Sequence, residues 1–154
     1  MKKELVTMIC DELRARLDRL AKAAKAAHEA ATDPGSKAES KYDTRSLEES
    51  YLATGQARQF KELAATLRTF ENLRLREFKS GEEIDSGAMV VVRRAGIRGD
   101  TRFLLAPASG GLEIVFKGKE ITLLSPDSPL YGKLLGMRQG DTLEAPPFEI
   151  RAVS

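Results

Sequence analysis

Residues 125–141 read SPDSPLYGKLLGMRQGD, and they decide how the second half of the chain folds. The apolar residues within 130–137 predict a short helix. Asp127 or Ser128 is placed to cap its first turn, because short polar side chains accept hydrogen bonds from the free N–H groups there. Gly140 follows as a residue that lets the chain turn away beyond the helix end. The stretch therefore predicts one short helix between segments of a different pattern.

Strand patterns lie on both sides of this predicted helix. Short apolar or alternating runs occupy residues 88–93, 101–106, 112–116, 120–124 and 148–153, as expected for strands of a half-buried sheet. Lys117-Gly118-Lys119 lies between the third and fourth runs and predicts a hairpin turn. The second half is therefore predicted to be an α+β domain, a small antiparallel sheet with one short helix on a face.

The first half of the chain carries a helical pattern instead. Apolar residues recur in steps of three or four from Leu5 to Ala31, and a second stripe runs from Leu47 to Phe70. Each stripe predicts an amphipathic helix. Asp33-Pro34-Gly35 between them predicts a short turn, so the helices bury their stripes against each other as an antiparallel helical hairpin, or coiled coil. The expected core of this hairpin consists of Leu13, Leu17, Leu20, Phe60, Leu63 and Leu67.

Glycine and proline divide the chain into two parts. Residues 1–79 contain only Pro34, Gly35 and Gly55 of these two types, whereas residues 80–154 hold the other ten Gly and five Pro. Because both residue types interrupt regular helices, a domain boundary is predicted near Ser80-Gly81. The predicted domains are a helical hairpin over 1–79, with its tip near 32–44, and a sheet domain over 80–154.

The composition excludes several classes of function. The 25 basic and 23 acidic residues give a net charge of +2, which is too balanced for a protein that wraps nucleic acid electrostatically. Lone Cys10 and the single histidine, His28, leave no ligand set for zinc and no Cys/His or Ser/His catalytic pair. No apolar run approaches the roughly 20 residues of a membrane helix. We expect a cytoplasmic protein that binds no membrane, and these residues offer no independent active site.

The second half carries the ordered elements of a known family. It has Asp127-Ser128-Pro129, a helix that contains Leu134-Leu135-Gly136, and then Gly140-Asp141. This order resembles the C-terminal domain of the Gre family of bacterial transcription elongation factors, which act in transcript cleavage. In that family Ser-Pro opens a helix of the form Ala-Leu-Leu/Ile-Gly-Lys, and Gly-Asp follows. The resemblance covers essentially the whole chain in domain order and size.

The resemblance implies both a fold and a partner. It implies an FKBP-like C-terminal domain that docks at the rim of the secondary channel of RNA polymerase through Asp127, Ser128 and Pro129. It also implies that the helical hairpin enters the channel. The protein would then be a monomer that is not itself an enzyme. It would act on nascent RNA only through the polymerase and would regulate the polymerase's own nuclease activity. The alternative for the three residues is that they only start the helix.

The resemblance further implies a metal function for the hairpin tip. The acids near the tip are Asp33, Glu39 and Asp43, and they would share a Mg²⁺ ion with the polymerase active centre, because Mg²⁺ prefers oxygen ligands. Tyr42 and Arg45 are the expected contacts of the tip with the polymerase. Taken singly, Asp33 is also typical of a turn, Glu39 of a capping box and Asp43 of a solvated side chain.

The tip departs from the family pattern, and other functions stay open. The family tip carries two acids three positions apart. With Asp33 in the first place, Ser36 takes the second; alignment on Ser36 puts Lys37 there, and alignment on Tyr42 puts Ala38 there. Lys37 and Lys41 also add positive charge that opposes a cation. A regulator that binds the channel without stimulating cleavage is the main alternative. A coiled-coil adaptor and a prolyl isomerase are further alternatives, and the isomerase would need an aromatic pocket, for which residues 80–154 offer Phe103, Phe116, Tyr131 and Phe148.

Overall fold

The computed structural model describes residues 2–31 and 54–154. The helices are α1 (Lys2–Ala31), α2 (Thr54–Glu71) and α3 (Pro129–Leu134). The strands are β1 (Met89–Arg94), β2 (Thr101–Leu105), β3 (Glu113–Phe116), β4 (Lys119–Leu124), β5 (Thr142–Glu144) and β6 (Pro147–Val153). No helix among these is long and apolar enough to cross a membrane.

The chain divides into two compact units. Residues 7–72 form the helical unit, and residues 73–154 form the sheet unit together with the first residues of α1, up to Val6. The predicted boundary lies at Ser80-Gly81, whereas the sheet unit begins at Leu73. Residues before Ser80 belong to the sheet unit because Phe78 is only 7% exposed and packs in its hydrophobic core.

The two long helices run antiparallel in the helical unit. The Arg14 guanidinium lies 3.0 Å from the carboxylate of Glu71, at the end of α2. Leu20, further along α1, borders the same groove as Leu63, which comes earlier in α2. The predicted antiparallel pair of helices is therefore confirmed, whereas its predicted turn and tip lie outside the described residues.

Burial along the helix pair is uneven. Leu13, a residue of the predicted core, is 1% exposed, and Phe70, which the predicted core does not include, is 0% exposed. The remaining residues of the predicted core are only half-buried, and these are Leu17, Leu20, Phe60, Leu63 and Leu67. Beyond Leu20 the apolar positions of α1 carry Ala, which offers less apolar area for burial. The helix pair therefore has its best-packed section where Leu13 and Phe70 lie.

The sheet has six strands in the order β3-β4-β2-β1-β6-β5. All neighbouring strands are antiparallel except β2 and β4, which pair in parallel from Phe103↔Thr122 to Leu105↔Leu124. The predicted α+β class is confirmed, and the sheet is mixed rather than wholly antiparallel. The parallel pair arises because β3 runs opposite to β2 at the edge of the sheet. The hairpin after β3 reverses the direction again, so β4 runs in the same direction as β2 and lies between β3 and β2.

The β3–β4 hairpin closes through a two-residue turn. Phe116 pairs with Lys119, which leaves Lys117 and Gly118 as the turn residues, with φ of 51° and 77°. Two successive positive φ values are typical of the turn that matches the twist of a hairpin, and glycine adopts them without steric cost. The hairpin predicted at Lys117-Gly118-Lys119 is confirmed.

The sheet unit contains a hydrophobic core to which α3 contributes. Side chains of β1, β2 and β6 contribute to it together with Tyr131 and Leu134 of α3. The segment between α2 and β1 adds Phe78 and Ile84. Because Tyr131 and Leu134 are three positions apart, they lie on one face of α3. That face packs on the sheet core, and the residues before α3 are thereby fixed in position.

The helix α3 is shorter than the predicted helix over 130–137. It ends at Leu134, and the Gly136 N–H donates to the Ile84 carbonyl at 2.9 Å. The Ile84 N–H in turn donates to the Met137 carbonyl at 2.7 Å. Gly136 has a φ of 83°, which favours glycine. The backbone after α3 therefore pairs with a distant segment instead of continuing the helix.

Lys2 is a buried lysine within the sheet unit. It is 2% exposed, and its Nζ donates to the main-chain oxygens of Arg76 at 2.7 Å, Gly87 at 2.9 Å and Ser154 at 2.6 Å. The Nζ also lies 4.9 Å from the centre of the Phe78 ring. All three N–H bonds of the ammonium group are therefore satisfied. Through them the start of α1 is hydrogen-bonded to the main chain before β1, at Arg76 and Gly87, and after β6, at Ser154.

Candidate functional site

The turn that precedes α3 is closed by reciprocal hydrogen bonds. The Ser128 N–H donates to the Ser125 carbonyl at 2.8 Å, and the Ser125 N–H donates to the Ser128 Oγ at 3.2 Å. The two hydroxyl oxygens are 3.4 Å apart. Because bonds run in both directions across four residues, the turn is ordered before any partner binds.

Asp127 is the exposed acid of this turn. Its carboxylate accepts a hydrogen bond from the Ser125 hydroxyl. This bond is the main cause that lowers the pKa of Asp127, and the Asp127 backbone N–H contributes further. A carboxylate held this way stays ionised at neutral pH and keeps further lone pairs open for a donor from outside.

Ser128 occupies the N-cap position of α3 but does not cap it with its side chain. The structure gives this residue no side-chain capping bond, because its Oγ accepts from the Ser125 N–H instead. The predicted cap position is therefore right, and the predicted capping bond is wrong. Pro129 stands in the first turn of α3, where its missing N–H leaves no donor unsatisfied.

The three predicted anchor residues lie together on this turn. Asp127 and Pro129 are exposed, and Ser128 is half-buried. Pro126 is exposed beside them, whereas Ser125 is only 6% exposed. We name residues 125–129 the anchor turn. It presents one carboxylate and two proline rings on a backbone that is fixed by two serines.

Gly110, in a neighbouring loop, lies close against the side chains of the anchor turn. The sequence alone did not predict this contact. A Cβ atom at this position would collide with the Ser125 Oγ and would lie 3.0 Å from the Ser128 Oγ. Only glycine therefore lets the loop approach the two hydroxyl groups closely. The signal available in the sequence was the pair Gly110-Gly111, which alone does not indicate what the loop packs against.

The predicted residues of the hairpin tip cannot be placed. Asp33, Glu39 and Asp43, the predicted metal ligands, lie outside the described residues, as do Tyr42 and Arg45. Within residues 2–31 and 54–154, no group of three or more His, Cys, Asp or Glu side chains is arranged to hold a metal ion. The Mg²⁺ site at the tip stays a prediction.

The four aromatic residues that a prolyl isomerase would need are all buried. Phe103, Phe116 and Tyr131 are at most 8% exposed, and Tyr131 directs its hydroxyl to the Ser86 Oγ at 2.7 Å. Phe148 is 4% exposed and borders an open groove. One buried ring at a groove edge does not make an aromatic-lined pocket, so the described structure offers this alternative no support.

Cys10 has the character of a structural thiol. It is 4% exposed, and burial is the main cause that raises the pKa of its thiol. A raised pKa leaves less of the reactive thiolate at neutral pH. Cys10 is therefore a packing residue of α1.

The fold defined by these elements is an antiparallel helix pair with an α+β sheet unit whose anchor turn opens a short helix. No family model and no curated protein matches the chain. Solved structures that are similar include GreA factor homolog 1 (Gfh1) of Thermus thermophilus, with 22% sequence identity, 98% of this chain and 93% of that chain covered, and a TM-score of 0.36. Gfh1 of Thermus aquaticus has 21% identity, covers 98% of this chain and 92% of that chain, and has a TM-score of 0.36. A third structure, described as the transcription factor Gfh1, has 20% identity, 97% and 91% coverage, and a TM-score of 0.37.

Proposed function

We propose that this protein is a Gre-like transcription factor that binds RNA polymerase at its secondary channel. The observation that carries the proposal is the anchor turn. The sequence elements that resemble the Gre family fold here into an ordered, exposed turn that opens a short helix. The turn belongs to a sheet unit that follows a helix pair in the chain, which is the domain order that the resemblance implies.

The chemistry of the anchor turn suits a protein partner. The ionised Asp127 accepts hydrogen bonds from an arginine, lysine or backbone donor of the polymerase, and charge-assisted bonds are the stronger ones. Pro126 and Pro129 add rigid apolar contact. Because Ser125 and Ser128 already hold the backbone, little conformational entropy is lost on binding.

The helix pair suits insertion into a channel. With 30 residues and a rise of 1.5 Å per residue, α1 is about 45 Å long. Two helices alone form a narrow arm, and their surfaces carry ion pairs such as Lys22–Asp18 and Arg58–Glu62. We propose that this arm carries the tip into the polymerase, so that the protein acts on nascent RNA through the polymerase, in the cytoplasm, as a monomeric regulator rather than an enzyme.

The tip would supply oxygen ligands. In this proposal Asp33, Glu39 and Asp43 would hold Mg²⁺ together with the polymerase active centre, and the ion would supply Lewis-acid chemistry for RNA cleavage. Tyr42 and Arg45 would contact the polymerase around this centre. The donor set is chemically suited to Mg²⁺, because carboxylate oxygens are its preferred protein ligands.

A non-cleaving regulator of the same channel is the second candidate. Depending on which residue is aligned with the family tip, Ser36, Lys37 or Ala38 stands where the family pattern has its second acid, and Lys41 lies close by in the sequence. Two ammonium groups near a tip acid weaken its hold on a divalent cation. Such a protein would occupy the channel and exclude other factors without stimulating cleavage.

Association with core polymerase tests what both candidates share. The full chain should bind purified core RNA polymerase and should be displaced by another factor that occupies the secondary channel. A coiled-coil adaptor or a prolyl isomerase would show no such competition. Failure to bind the polymerase would contradict both candidates, whereas binding without competition would place the contact elsewhere on the enzyme.

A further inference from the structure

An open groove lies at one end of the sheet, and none of the residues of the anchor turn lines it. It is lined by Arg94 at the end of β1 and by Ile97 and Arg98 in the loop that follows. It is also lined by Leu143 of β5 and by Pro147 and Phe148 of β6. Its volume is about 700 Å³. We name it the arginine groove.

The groove carries uncompensated positive charge. Arg93 lies 3.2 Å from Asp100, and Glu149 lies 3.4 Å from Arg151, so these four charges neutralise each other in pairs. Arg94 and Arg98, by contrast, form no ion pair in the part of the chain that the structure describes. Two guanidinium groups are therefore left to attract an anion.

The Arg94 side chain also has a hydrogen-bond donor without a partner. Its Nε is buried, and it is the only buried side-chain nitrogen or oxygen in residues 2–31 and 54–154 that lacks a hydrogen-bond partner. Leaving a buried charged donor unpaired is unfavourable. A carboxylate matches the planar fork of a guanidinium and accepts two hydrogen bonds from it. Because Arg94 also lines the groove, the part of its guanidinium that borders the groove suits a carboxylate ligand.

The rest of the groove is apolar and borders a sheet edge. Ile97 is 51% exposed, Leu143 is partly buried, and Pro147 is exposed. The strand β5 is the last strand in the order β3-β4-β2-β1-β6-β5. An edge strand offers backbone N–H and C=O groups to an added strand, and neighbouring apolar contacts select its side chains.

We propose that the arginine groove binds an extended acidic segment of a partner protein, with carboxylates on Arg94 and Arg98 and apolar side chains against Ile97. A nucleic acid is the less suitable ligand for two reasons. The sheet unit, residues up to Val6 and 73–154, holds 14 basic and 12 acidic residues, net +2, which is too balanced to attract a long polyanion. Phe148 is 4% exposed, so it offers no ring face for base stacking.

Fluorescence anisotropy with the full chain and a labelled peptide tests this proposal. The probe is Gly-Ser-Glu-Leu-Asp-Phe-Glu-Gly-Ser, because an extended chain directs its three acids to one face and its two apolar side chains to the other. We expect saturable binding that weakens at least tenfold in Arg98→Glu and in Arg94→Met, and equally when Gln and Asn replace the peptide's acids. Arg74→Glu is the matched control, since Arg74 is exposed and does not border the groove.

Three outcomes would overturn the proposal. The first is no saturable binding of the peptide by the parent chain. The second is that Arg98→Glu weakens binding no more than Arg74→Glu does. The third is that a single-stranded RNA of 12 nucleotides binds more tightly than the peptide and loses affinity in Arg98→Glu, which would make the groove a nucleic-acid site. Circular dichroism spectra establish that each variant is folded, and Arg98→Ala replaces Arg98→Glu if the latter does not fold. No polymerase is needed, so the result does not depend on the function proposed above.

Discussion

Ser125 and Ser128 use their hydroxyl groups within the anchor turn, and Gly110 makes room for them. The Ser128 Oγ accepts from the Ser125 N–H, and the Ser125 Oγ donates to Asp127. A side chain at position 110 would push on both hydroxyl groups. The shape of the anchor turn thus depends on a residue 15 or more positions earlier in the chain.

Gly110→Ala should therefore destabilise the sheet unit. We expect a loss of about 1–3 kcal/mol in the free energy of unfolding, as for other insertions of a methyl group into a packed site. Gly132→Ala is the matched control, because a Cβ at Gly132 meets nothing within 4 Å and alanine is the better helix former. Urea unfolding of both variants measures the difference. Equal stability of the two variants would mean that the loop is free to move away from the serines.

Single buried polar residues were the hardest to predict from the sequence. Lys2 reads as one of several charged residues at the start of a helix, yet its Nζ binds three main-chain oxygens. Those oxygens belong to residues 74, 85 and 152 positions away, and no local pattern encodes such distances. Burial lowers the pKa of Lys2, while the three carbonyl oxygens favour its charged form.

Among the elements, the strands with clear apolar patterns were predicted nearly to their observed ends. The run over 101–106 corresponds to β2 (Thr101–Leu105), and the run over 120–124 corresponds to β4 (Lys119–Leu124). The strand β5 was not predicted, because it has three residues and only Leu143 is apolar. The parallel pairing of β2 with β4 was not predicted either, because periodicity reports which face of a strand is buried but not which strand lies beside it.

The uneven burial along α1 predicts an uneven response to mutation. Leu13→Ala should destabilise the helix pair by about 2–5 kcal/mol, the usual range for a fully buried leucine, since Leu13 is 1% exposed. Leu20→Ala should cost clearly less, because Leu20 is half-buried and borders an open groove. Amide hydrogen exchange in α2 reports the stability of this pair separately from the sheet unit. A larger loss in Leu20→Ala than in Leu13→Ala would contradict the burial order.

At the scale of the whole molecule, the proposed function gives the hairpin tip and the anchor turn separate roles, so mutation should separate them. Replacing Asp33 and Glu39 together by Ala should abolish stimulated cleavage of backtracked RNA and leave polymerase binding nearly unchanged, because in this proposal the two acids hold the metal ion and the anchor turn makes the contact with the polymerase. A stalled, backtracked elongation complex is the substrate for this measurement. Cleavage retained by the double variant would remove the two acids from the mechanism. If the parent protein also fails to stimulate cleavage while it binds the polymerase, the non-cleaving regulator is the better description.

The affinity of the full chain for core RNA polymerase tests the central proposal most directly. We predict that the parent binds and that Asp127→Asn combined with Pro129→Ala weakens binding at least tenfold, which is roughly 1.4 kcal/mol. The thermal midpoint of the double variant should fall by no more than about 3 °C, or about 1 kcal/mol, because the asparagine still accepts a bond from Ser125. Glu120→Gln, at an exposed acid of β4, should bind as the parent does. An unchanged affinity in the double variant would mean that the anchor turn only starts α3, and no binding by the parent would contradict the proposed function itself.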